Sequence, residues 1–167
     1  MQPIPWSFIN SIANLSWRDV AWGYQNGYLN ATKVIEFAWD RLSNGEESAD
    51  IIELAGILPS EEEALRNLLF KVAGSAANKE SQKQWLILVL SWLYENQTSM
   101  SDTLDEIVSI YADFDYPEEL VPFVRYMPTT DGWDPTVHSL EENLARMIAK
   151  WSAYLLKETG GIFPKHH

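Results

Sequence analysis

The run Asp113, Asp115, Tyr116, Pro117, Glu118 and Glu119 sets four carboxylates within seven residues. Such a cluster can hold a hard cation, cut a glycosidic bond as an acid and base pair, or attract a basic partner. The cation reading fails on spacing. A calcium loop needs a glycine at its sharp turn and a closing glutamate twelve residues from its first ligand, and DFDYPEE offers neither. Hydrolysis of a sugar or other small substrate needs two carboxylates of unequal pKa across a cleft, with aromatic side chains as platforms. With 24 acidic residues and 13% aromatics the materials for this exist, but their separation is not written in the chain. Other catalytic patterns are missing: there is no HExxH, no phosphate-binding glycine loop with lysine, no GxSxG and no dinucleotide fingerprint. The absence of cysteine removes thiolate nucleophiles and thiolate metal sites. His138 is the only histidine before the terminal pair and reads as a helix-boundary residue. The chain is therefore expected to carry no catalytic residue, no metal and no cofactor.

Attraction of a basic partner is better supported. The acids face 12 bases, for a formal charge of -12 and a pI near 4.5, which disfavours nucleic acid and anionic membrane and favours a basic protein. Between Gln84 and Val124 there are eight acids, Glu95, Asp102, Asp105, Glu106, Asp113, Asp115, Glu118 and Glu119, and no lysine or arginine. Those near residue 113 fall where a helix should end, an unfavourable place for negative charge. A second acidic field spans Asp40 to Glu63. Trp133 lies in a loop between Asp131, Gly132 and Asp134 and is the aromatic expected to be exposed. The expected partner surface is Asp102, Asp105, Glu106, Asp113, Asp115, Glu118 and Glu119 with Trp133 as anchor. Tyr116, Pro117, Phe123, Arg125 and Tyr126 are expected to form an ordered corner, with Arg125 on nearby carboxylates and the three aromatic rings packed beneath it.

The elements that must position these residues read as helices throughout. Ser16 and Asp19 form a box-like start for a first helix that ends near Gly23 or Asn26–Gly27. Asn30 caps a second, in which Ala31, Val34, Ile35, Ala38 and Leu42 recur at helical spacing. A third is expected over about 46–58, and a fourth starts at a Ser60 to Glu63 box with Leu65, Leu68, Leu69, Val72 and Ala76 as its stripe. The segment 79–96 turns from polar to apolar on nearly every face and should be central, with 85–94 the most buried element. A helix after Ser101 buries Leu104, Ile107, Val108 and Tyr111, and Pro117 opens a short element limited by Pro122. Residues 125–135 form an ordered loop. Ser139 and Glu142 box a last helix with the stripe Leu140, Leu144, Met147, Ile148, Trp151 and Leu155. Trp17, Trp39, Trp85, Trp92 and Trp151 are placed in the core or between helices.

The expected fold is all-α, a single domain over 1–161 of seven to nine helices packed as successive antiparallel hairpins, with a tail at 162–167 whose final histidines carry no functional weight. The N-terminal segment lacks a basic secretory start, and the longest apolar run, Trp85 to Leu90, is six residues, so a cytoplasmic protein with no membrane span is expected.

NKESQKQWLILVLSWLYEN at 78–96, IYADFDYPEELVPFVRYMP at 110–128 and SWRDVAWGYQNGYL at 16–29 resemble a bacterial family known as domain of unknown function 2247. The resemblance carries no catalytic role onto Asp113, Asp115, Tyr116, Arg125 or Tyr126. It implies a small acidic helical protein of the kind encoded beside polymorphic toxins, an immunity protein that neutralises a cognate toxin domain by direct binding; the acidic face would suit the basic surface of a nuclease domain. Two alternatives stand beside it: a carboxylate-based hydrolase, which requires a pocket with convergent carboxylates around Asp131, Trp133 and Asp134, and a regulatory adaptor for another basic partner.

Overall fold

Short polar side chains start most of the helices. In a computed structural model that describes residues 3–74 and 79–165, the Ser16 hydroxyl accepts from Asp19 N and the Asp19 carboxylate accepts from Ser16 N at 2.9 Å, opening α2 (Trp17–Gln25). Asn30 caps α3 (Ala31–Ser43) by accepting from Lys33 N at 2.9 Å, and Ser48 caps α4 (Ala49–Ala55). The reciprocal box of Ser139 and Glu142 opens α8 (Leu140–Glu158). Each cap satisfies backbone N–H groups that a helix start otherwise leaves without partners.

Two starts differ from expectation. α5 (Glu62–Ala73) does not use Ser60: Glu61 is its cap residue, and the Glu61 carboxylate turns back to accept from Leu58 N at 3.1 Å. α7 (Met100–Asp113) is capped by Ser99, whose hydroxyl accepts from Asp102 N, so Ser101 lies inside the helix. The third helix is also shorter than its apolar content suggested. An unforeseen helix, α1 (Trp6–Ile12), has no side-chain cap and is held from outside by a Trp6 Nε1 bond to Lys33 O at 3.1 Å and by stacking on Phe37 at 5.4 Å. Among the described residues the remaining regular structure is α6 (Lys79–Glu95) and two 3-10 turns, Glu118–Phe123 and Pro135–Val137, with no strand. Pro117 is the cap residue of the first 3-10 turn, one position before the helical start expected for it.

The contacts divide the chain into two compact units, 1–85 and 86–167, the boundary falling within α6. In the first unit consecutive helices pack in succession, α2 on α3, α3 on α4 and α4 on α5, and α5 returns to α2. Trp85 is its keystone: fully buried, it donates to Asp19 O at 2.7 Å and stacks on Tyr28 at 5.7 Å. Gly23 is required here, because a Cβ at that position would lie 2.4 Å from Trp85 Cζ2. In the second unit α8 packs on α7 and on the 3-10 turn at 118–123. Its core includes Leu104, Ile107, Leu120, Phe123, Leu144, Trp151 and Leu155. The α6 residues Trp85 to Leu90 and Leu93 are all buried. Of the stripes read from sequence, Leu65, Leu69, Leu144, Trp151 and Leu155 are buried, whereas Leu140 is 69% exposed because it is the first residue of α8, where the chain has not yet reached the core. Trp39 is likewise exposed, on the outer side of α3. Ala76 and the terminal His166 and His167 lie outside the described residues. No described helix is long and apolar enough to cross a membrane.

Candidate functional site

Burial of Leu104, Ile107 and Ile110 on one side of α7 turns Asp102, Asp105, Glu106 and Asp113 to water, and all four are exposed. Asp115, Glu118 and Glu119 continue the exposed series through the 3-10 turn. The helix ends in a Schellman arrangement: Tyr116 N donates to Tyr111 O at 2.8 Å and Asp115 N to Ala112 O at 3.1 Å. Asp115 occupies the left-handed position, φ 63°, where glycine is usual, and Tyr116 follows at φ 56°. The accompanying side-chain contact is an edge-to-face pair of the Tyr111 and Tyr116 rings at 5.3 Å.

Arg125 serves this face. Its Nη1 donates to Asp105 Oδ1 at 2.9 Å, to Ser101 Oγ at 3.1 Å and to Ser101 O at 3.2 Å, and the side chain is only 16% exposed. The rest of the expected corner is arranged differently. Phe123 is buried and meets Tyr154 at 5.4 Å, but Tyr116 and Tyr126 are 62% and 83% exposed and are not part of a packed corner. Tyr126 has φ 70°, a left-handed backbone, and its ring lies under the Arg125 guanidinium at 5.3 Å. Burial pushes the Tyr154 hydroxyl pKa well up, with Glu119 and Glu158 adding to the shift.

Trp133 is half-buried, not exposed as expected. Its indole N–H donates to Asn143 Oδ1 at 2.8 Å, its ring stacks on His138 at 3.7 Å, and the Arg146 guanidinium lies 4.8 Å from its centre. The loop before it is tied to α8 through Asp131, whose Oδ2 accepts from Arg146 Nη2 and from Lys150 Nζ at 3.1 Å, while Oδ1 accepts from Trp133 N at 3.3 Å. Lys150, the Trp133 amide and Arg146 together hold the Asp131 pKa down to about 2. Asp134 closes a turn on Thr136, which lowers its pKa, and Glu142 is lowered by the Ser139 amide and by His138.

Between this loop, the 3-10 turn and α8 lies a cavity of about 500 Å³. Val121, Pro122, Val124, Met127 and Met147 supply apolar wall, and Asp131, Trp133, Asn143, Arg146 and Lys150 supply the polar end. Asp131 is the one carboxylate of the lining, and Asp134 is outside it. Among the described residues no group of three or more histidine, aspartate or glutamate side chains is placed to hold a metal ion. The partners of Trp133 on α8, Asn143 and Arg146, lie ten and thirteen residues away, beyond the reach of local patterns. The available signal was the spacing of Asn143, Arg146 and Lys150, which repeats every three to four residues along one side of α8.

Residues 6–159 match the model of a family described as uncharacterized protein conserved in bacteria, domain of unknown function 2247, and the chain belongs to that family. No curated protein and no solved structure matches it.

Proposed function

We propose that the protein is an acidic binding protein, an immunity protein that acts in the cytoplasm and neutralises a cognate toxin domain by direct contact, without itself catalysing a reaction. The observation that carries this reading is the exposed series Asp102, Asp105, Glu106, Asp113, Asp115, Glu118 and Glu119. A nuclease domain, whose substrate surface must be basic, is the partner such a field fits. Long-range attraction accelerates encounter, and a smaller desolvated patch supplies most of the affinity. Tyr116, exposed within the acidic run, takes the anchoring role that sequence assigned to Trp133. The hydrolase alternative gains little from the cavity, since one carboxylate held ionised by two cations is not an acid and base pair.

The test is capture of partners from the native host, followed by titration of the captured protein against wild type and an Asp102→Lys, Glu106→Lys, Asp113→Lys, Glu118→Lys variant at low and high salt. These positions leave the Asp105–Arg125 contact and the left-handed Asp115 in place. A basic toxin whose activity is suppressed, with weaker and less salt-dependent binding by the variant, is the expected result. Capture of a basic partner that is not a toxin replaces the immunity role with an adaptor role, and recovery of neither overturns the reading.

A further inference from the structure

The cavity beside α8 has a charge of the wrong sign for the protein around it. Its lining carries Arg146 and Lys150 against Asp131 alone, a net positive wall in a chain of formal charge -12. The two cations are one turn apart on α8 and converge on a single carboxylate oxygen, Asp131 Oδ2. Arg146 is largely enclosed, with its side chain 15% exposed and its guanidinium set over Trp133, so it cannot satisfy its donors in bulk water and cannot lose its charge. Asp131 is different. It reaches in from a surface loop, is 41% exposed, and is followed by Gly132 at φ 81°. Its carboxylate can return to water, whereas the enclosed Arg146 left behind favours another anion, which the half-exposed Lys150 one turn away can also reach.

The remaining wall defines what that anion must carry. Val121, Pro122, Val124 and Met147 are apolar, and about 500 Å³ suits a small molecule. The ring of Trp133 already stacks on His138 and meets Arg146, so the ligand's apolar part lies against the valines and Met147 and does not depend on indole stacking. We propose that this cavity binds a small apolar carboxylate whose carboxylate group takes the place of Asp131 on Arg146 and Lys150. Asp131 then acts as a built-in competitor that holds the cations while the site is empty. This site is independent of the acidic face and of any protein partner.

The experiment uses the purified full chain and NMR titration with 3-phenylpropionate and hexanoate, with 3-phenylpropanamide as the neutral control, reading the Trp133 indole N–H and the Arg146 Nε–H. Saturable shifts are expected with both acids and not with the amide. Asp131→Asn removes the competitor and should tighten the acids about tenfold, and Lys150→Met should weaken them by a similar factor. A purely structural Asp131 predicts the reverse for Asp131→Asn, because loss of the loop tie would open the site. Should that variant disturb the loop, Lys150→Met still decides, since it leaves Asp131 on Arg146 and must reduce affinity for the acids alone. Equal binding of acid and amide, no gain in a folded Asp131→Asn, or no saturable shift up to the solubility of the probes overturns the proposal. Capture of a toxin does not bear on it, so its failure and that of the immunity reading are distinguishable.

Discussion

Replacing Asp115 by glycine should stabilise the protein although it removes a side chain from an ordered helix end. Asp115 sits at φ 63° as the left-handed residue of the α7 terminus, where a β-carbon costs roughly 1–2 kcal/mol, less for aspartate than for most residues. About 1 kcal/mol is therefore recoverable. Its charge also lies against the negative end of the helix dipole, an exposed effect of about 0.3 kcal/mol. Against these stands the larger unfolded-state entropy of glycine, about 0.4–1 kcal/mol. The net expectation is a gain of about 0.5 kcal/mol. Asp115→Asn, which tolerates the same backbone, should gain about 0.3 kcal/mol from the charge alone. Asp115→Ala should lose stability, because the backbone penalty rises by more than the charge returns. Urea unfolding followed by far-ultraviolet circular dichroism at unchanged m-value gives the order, and exchange of the Tyr116 amide, bonded to Tyr111 O at 2.8 Å, reports on this helix end itself. An Asp115→Gly protein no more stable than Asp115→Ala would refute the assignment of strain to this position. Glycine and asparagine remove the same carboxylate, so they should weaken a basic partner equally while differing in stability.

Arg125→Ala should cost about 1–3 kcal/mol in the same unfolding assay, since three bonds to Ser101 and Asp105 are lost from a mostly enclosed side chain, and Arg125→Lys should recover only part of it. Gly23→Ala should destabilise by about 1 kcal/mol or more despite the better helix propensity of alanine, because the new methyl meets Trp85 at 2.4 Å; a stabilised variant in thermal melts would contradict that packing. Asp131, held at about 2, should keep the loop docked on α8 above the ordinary carboxylate range and release it as pH falls through about 2; carboxyl NMR should show that midpoint, and Arg146→Met should raise it toward 3.8.

Helix starts were legible where a cap and its acceptor lie within three residues. Ser16 with Asp19, Asn30, and Ser139 with Glu142 open α2, α3 and α8 as their spacing requires. The same local signal misplaced α5, because two acceptors compete there and the Glu61 carboxylate is used on Leu58 N. It also favoured Ser101 over Ser99, two hydroxyls that differ by half a turn. α1 lacked any local signal, since its order comes from the Lys33 carbonyl and the Phe37 ring on α3. Burial of the middle of α6 was readable from composition alone, because a segment apolar on nearly every side has no face to offer to water.

The acidic face was legible for a related reason: an amphipathic helix that buries Leu104, Ile107 and Ile110 leaves Asp102, Asp105 and Glu106 no other direction. The setting of Trp133 was not. Exposure of Trp133 was inferred from its polar neighbours in sequence, but its surroundings are Asn143, Arg146 and His138, and a loop becomes a wall when a helix that follows it supplies hydrogen bonds and charge. Conversely, Tyr116 and Tyr126 stood beside prolines and apolar residues that suggested burial, yet both have left-handed backbones and exposed rings. Tyrosine is not expected at such angles, so no propensity scale points there. The left-handed backbone leaves the Tyr116 ring exposed against Tyr111 at the acidic end of α7 and the Tyr126 ring exposed under Arg125. If partner affinity is concentrated in a few desolvated anchors, Tyr116→Ala should weaken binding more than loss of any single carboxylate and should do so mainly through dissociation, whereas charge reversals on α7 should act mainly on association; equal effects on both rates from both kinds of substitution would separate the acidic face from the contact patch.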